Sequence, residues 1–112
     1  MELEELQKEK NGLSSRELKE QVMKAREVQE ERYKNSPYFF NADLETKDIG
    51  FYCALEEEEK KFMEQVFYSL KLSARAYHRT LKVARTIADL EGSERIGKEH
   101  LTEAVCYRGF EI

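Results

Sequence analysis

"LSARAYHRTLKVARTIADLEGSERIGKEH" occupies Leu72 to His100, and its periodicity governs how the whole chain reads. Ala74, Tyr77, Leu81, Ala84 and Ala88 recur at helical spacing, and Val83, Ile87 and Leu90 broaden that apolar stripe. Ser73 stands where an N-cap is needed and Gly92 where a helix ends, so the spacing predicts a helix to about Glu91. The other side carries Arg75, Arg79, Lys82, Arg85 and Asp89, with His78 adjacent. Cations three or four residues apart repel unless carboxylates or a bound anion balance them. Arg75 falls in the first turn, where the helix dipole disfavours a cation by a few tenths to about 1 kcal/mol. A charged helix face is more often simply solvated, and periodicity alone favours that reading. Arg75 is the exception within the row, because a cation kept against the dipole is a candidate anion contact.

Outward from this helix the pattern stays helical. Towards the N-terminus, "EEEEKKFMEQVFYSLKL" predicts a helix that opens on Glu56 to Glu59 at its positive dipole end. Phe62, Val66 and Leu70 form its stripe, with Met63 and Phe67 beside it. "TKDIGFYCAL" predicts a short helix capped by Thr46, with Ile49, Tyr52 and Cys53 inward. "KNSPYFFNADLE" holds Pro37, the only proline, and reads as an extended connector that Tyr38, Phe39 and Phe40 pin to the core. "SSRELKEQVMKAREVQEERY" predicts a longer helix, and Ser14 with Glu17 makes a capping box. Its buried stripe is Leu18, Val22, Ala25 and Val28, closed by Tyr33. After Gly92, Ile96 packs ahead of a last helix over about Lys98 to Tyr107, with Leu101, Ala104 and Val105 inward. The expected fold is all-α, a small bundle of about five helices.

The totals agree with one modest domain. With 112 residues, 40% hydrophobic and 11% aromatic, there is enough apolar surface for a single core. A net charge of -4 gives no global attraction to nucleic acid or anionic lipid, so any anion site must be local. Cys53 and Cys106 form no CxxC pair, which argues against a disulfide scaffold or zinc site. No apolar run is long enough to span a bilayer, and "MELEELQKEK" lacks a signal-peptide core, so no membrane role and a cytoplasmic location are expected.

Three further clusters carry little. His100 and Cys106 are six apart on one predicted helix and so point in different directions, which makes a metal site a poor reading. Glu56 to Glu59 lack the spacing and glycine turn of a calcium loop. Tyr38, Phe39 and Phe40 have only Lys34 nearby as a basic residue, so core packing is preferred to base stacking.

In order along the chain, "GLSSRELKEQVMKAREVQEERY", "FFNADLETKDIGFYCAL" and "LKLSARAYHRTLKVARTIADLEGSERIGKEHLTEAVCYR" resemble the C-terminal region of Mg-chelatase-like AAA+ ATPases, in their competence-associated branch. The resemblance covers about Leu13 to Arg108. It implies that residues 14–112 are a helical lid domain and that residues 1–13 are a lead-in from an ATPase core outside this sequence. In that clade the lid supplies a sensor 2 arginine near a helix start, aimed at nucleotide phosphate, and the match places it on Arg75. Guanidinium suits that role, being permanently charged and able to fork onto phosphate oxygens. Arg79 and Arg85 match the cationic pattern with no assigned role.

The sequence has no GxxxxGK[ST] phosphate loop and no strand ending in acidic metal ligands, so this chain is expected not to hydrolyse ATP by itself. ATP and Mg2+ belong, on this resemblance, to the longer parent, which would act as a ring-forming homo-oligomer and remodel DNA. The partner implied for this chain is its own N-terminal core. The alternative is a stand-alone helical module whose basic row docks an acidic protein.

Overall fold

The computed structural model describes residues 14–108, and the expected lead-in over residues 1–13 lies outside them. Five α-helices and one 3₁₀ turn follow in order: α1 Ser15–Tyr33, the turn Asn41–Asp43, α2 Thr46–Tyr52, α3 Glu57–Ser69, α4 Ala74–Leu90 and α5 Lys98–Arg108. No strand occurs among the described residues, so the all-α bundle expected from the sequence is the fold.

α4 is the axis of the bundle. α1, the 3₁₀ turn, α2 and α5 all pack on it, while α3 packs on α5. The core gathers Ala84, Ile87 and Ala88 of α4 with Leu101 and Ala104 of α5, Met63 of α3, Ile49 and Cys53 from the α2 end, and Ile96. Alanines at the α4 contact let neighbouring helices approach closely, and the larger residues fill the spaces beside them.

The caps show why the elements stop and start where they do. Ser14 Oγ accepts from the Glu17 N–H, and Glu17 Oε2 accepts from the Ser14 N–H, which completes the capping box. Ser73 Oγ accepts from the Ala76 N–H. α4 ends in a Schellman motif, in which the Ser93 N–H donates to Ala88 O (2.8 Å), the Gly92 N–H donates to Asp89 O (3.1 Å), and Gly92 takes φ 73°. α3 ends the same way without glycine. Leu72 N–H donates to Phe67 O, Lys71 N–H to Tyr68 O, and Lys71 sits at φ 52°.

Several local expectations need correcting. Glu45, not Thr46, is the N-cap of α2, and it makes no side-chain capping bond. In α1 the buried position after Ala25 is Gln29, and Val28 faces outward. Gln29 is drawn in because its Oε1 accepts from the Asn41 N–H, a tertiary bond invisible to hydrophobic spacing. Leu70 is exposed because α3 stops at Ser69, and Met63 takes the central place. Of the connector aromatics only Tyr38 is buried; Phe39 (76% exposed) and Phe40 (52%) point outward. Asp43 Oδ2 accepts from both the Phe39 and Phe40 N–H groups, and this turn presents the two rings to solvent.

Candidate functional site

The N-terminal half of α4, α2 and the 3₁₀ turn enclose an open groove of about 830 Å³. Arg75, Arg79 and Lys82 line it along α4, with His78 beside them and Thr86 at the far end. Ile49, Ala42 and Thr46 form the opposite wall. None of its described lining residues is acidic. The groove exists because the connector crosses α4 only in its second half, so the first half keeps one face open.

Arg75 is exposed, and its guanidinium enters no ion pair or hydrogen bond with another described residue. Arg79 is also exposed and shares the groove. Lys82 is half-buried, and its Nζ donates to Ala42 O at 3.3 Å, tying α4 to the turn. The sequence therefore brings Arg75 and Arg79 together as expected.

Arg85 does not join them. It is 5% exposed, inside the fold, and the expectation that it shares the open cationic row is corrected. Its Nη1 donates to Glu94 O (3.0 Å), its Nη2 to Ser93 O (2.8 Å), and Nη2 lies 3.2 Å from Asp89 Oδ1. Arg85 thus closes the turn between α4 and α5. The reason is tertiary, since α1 and that turn cover the second half of the same helix, where an unpaired cation would be costly.

Asp89 and Asn41 anchor this covered half. Arg32 holds Asp89 in a two-bond fork, Nη1 to Oδ2 at 2.8 Å and Nη2 to Oδ1 at 2.7 Å. That bonding keeps the Arg32 guanidinium even more firmly protonated than usual, against the opposing effect of burial. Asn41 Oδ1 accepts from Arg32 (3.0 Å) and from the Tyr33 hydroxyl (2.6 Å). Asn41 Nδ2 donates to Asp89 Oδ2 (2.9 Å) and to Thr86 Oγ1 (3.1 Å). Burial pushes the Tyr33 hydroxyl up to about 12, with the neighbouring Arg32 charge opposing the shift. Through Thr86 this network ends in the wall of the groove. Arg32 and Asn41 could not be singled out in the sequence, because each sits among similar polar residues and is selected only by the distant Asp89.

His100 is buried and structural in its bonding. Its Nδ1 accepts from the Gly97 N–H (2.9 Å) and its Nε2 lies 3.3 Å from Glu91 Oε1. Cys106 is exposed, and no cluster of three metal-ligating side chains occurs among the described residues.

A basic groove beside the first turn of a helix, on a five-helix bundle, can be compared with known proteins. The model of the magnesium chelatase subunit ChlI C-terminal domain matches residues 12–108. The chain belongs to that family. Competence protein ComM of Haemophilus influenzae is 45% identical over 97 residues, which is 87% of this chain and 18% of that protein. The protein YifB of Escherichia coli is 44% identical over 100 residues, 89% of this chain and 19% of the relative. YifB of Salmonella typhimurium is 43% identical with the same coverage. The chain therefore spans about a fifth of the length of these relatives. As a member of this family it is a C-terminal domain of the Mg-chelatase-like kind, and α4 with its open groove is part of the matched region. No described helix is long and apolar enough to cross a membrane.

Proposed function

We propose that this domain is the nucleotide-facing lid of a Mg-chelatase-like ATPase, and that Arg75 is its sensor 2 arginine. The observation that carries this reading is the state of Arg75. It lies in the first turn of α4, exposed in a groove with cationic and no acidic lining, without an ion-pair partner among the described residues. Holding a cation there opposes the helix dipole, and a phosphate arriving from outside would offset that cost. In the longer protein, a core would hold ATP and Mg2+, and the lid would close so that Arg75 meets charge developing on the transferred phosphoryl group. Hydrolysis would remove that bridge and release the lid. Arg79, in the same groove, would add to the local field. Arg85 has no part in phosphate contact, being spent on the α4–α5 turn.

The name of the Haemophilus relative extends the proposal to competence, with the assembled parent, a ring of ATPase subunits in the cytoplasm, acting on DNA. This chain, with its acidic balance, contributes nucleotide sensing and not the DNA contact. The test uses the full-length parent. Arg75→Ala should leave the fold intact by circular dichroism and lower ATP turnover by at least about ten-fold, the scale at which one charged contact to a developing anion acts. Normal turnover in a folded variant would remove the assignment. If the domain instead docks an acidic protein, the variant would lose salt-sensitive partner binding while turnover stays unchanged.

A further inference from the structure

We propose that the α4 groove is a polyphosphate site in its own right, and that Lys82 is a second anion contact that sets how long a phosphate chain it holds. This rests on the reading of Arg75 as a phosphate contact and extends it to a residue and a ligand class.

Several cations of the fold are held by carboxylates. Arg32 and Arg85 share Asp89, Arg95 lies 3.3 Å from Glu56, and Lys98 lies 3.8 Å from Glu58. Lys82 has no such partner among the described residues; the same holds for Lys60, Lys61 and Lys71, and Lys82 differs from these in lining the groove. Its one bond among the described residues is to a neutral carbonyl, Ala42 O, and an ammonium has three N–H donors. That bond fixes the side chain against the turn, so little freedom remains to be lost when an anion arrives. The half-buried position, against the apolar wall of Ile49 and Val83, strengthens a charge contact relative to open water.

The spacing then selects the ligand. Arg75 and Lys82 are two helical turns apart on nearly the same face, about 10 Å along the axis. Orthophosphate satisfies one end of this row, whereas a chain of two or three phosphates can run along it and meet both ends. Such a ligand also relieves the mutual repulsion of cations held on one helix face. No acidic side chain of the described lining competes for the site.

The experiment titrates the chain with sodium orthophosphate, pyrophosphate and tripolyphosphate at matched ionic strength, following amide NMR shifts and the thermal midpoint. Tripolyphosphate should bind at least about ten-fold more tightly than orthophosphate, with shifts concentrated in residues 42–49 and 74–86. Lys82→Gln should cut tripolyphosphate affinity about ten-fold and leave orthophosphate affinity within about two-fold. Lys71→Gln, which removes one charge outside the groove, should change neither. Equal loss of both ligands in Lys82→Gln, no dependence on phosphate chain length, or equally tight binding of hexaglutamate would each overturn the proposal. These outcomes leave Arg75 untouched, since its role is read from ATP turnover of the longer protein.

Discussion

Asp89 is 3% exposed and bound by two guanidinium groups and the Asn41 amide. A buried carboxylate in this setting adds little net stability as a pair, because desolvation consumes much of the attraction. Removing it is a different matter, since two cations would be left facing each other in a site with little water. Asp89→Ala should therefore lower unfolding free energy by about 3–5 kcal/mol, measured by urea denaturation. Arg75→Ala should change stability by no more than about 0.5 kcal/mol, because that side chain contacts no described partner. The contrast between these two charged residues of α4 separates a side chain the fold depends on from one it leaves open to a ligand.

Among the elements, the two Schellman turns offer a matched comparison. Gly92 accepts φ 73° freely, and an added Cβ would meet nothing within 4 Å, so Gly92→Ala should cost about 1 kcal/mol from backbone conformation alone. Lys71 adopts φ 52° with a full side chain, kept there by Leu72, which is buried and anchors the turn. Lys71→Gly should accordingly stabilise the fold by about 0.5 kcal/mol, the left-handed penalty being partly offset by the greater freedom of glycine when unfolded. Opposite signs for the two substitutions, read from urea midpoints, would confirm that φ governs both turns. Helix positions followed directly from spacing and caps in α1 and α4, and from spacing in α5. The exposed outcomes at Val28, Leu70, Phe39 and Phe40 did not, because each depends on where a neighbouring element ends or crosses.

Across the molecule as a whole, alkaline pH should weaken the fold in a defined window. Burial pushes the Cys53 thiol up to about 11, although the nearby Arg85 and Arg32 charges pull it down, and Tyr33 reaches about 12. Both folded-state values lie above the unfolded ones, 9.0 for the thiol and 10.0 for the phenol. The native state thus keeps protons that the unfolded chain releases. Their stabilisation is complete below pH 9.0 and is lost as pH rises towards the folded values. Urea midpoints should begin to fall near pH 9.0 in the wild type, and Cys53→Ala should delay that onset towards 10.0, where Tyr33, Tyr38 and Tyr77, all raised above the ordinary phenol value, begin to act. An unchanged onset in the variant would show that another group controls it.

The helical class, the caps at Ser14 and Ser73, the stop at Gly92 and the presence of a basic row on α4 all follow from local chemistry: residue spacing, capping hydroxyls and a residue free to take positive φ. Which members of that row face solvent was settled only when the connector crossed α4. One helical stripe became an open groove at Arg75, Arg79 and Lys82, and a sealed network at Arg85 and Asp89. Periodicity specifies the direction of a side chain around its own helix. Whether that direction leads to water or to a distant carboxylate depends on segments tens of residues away, and only packing brings those together.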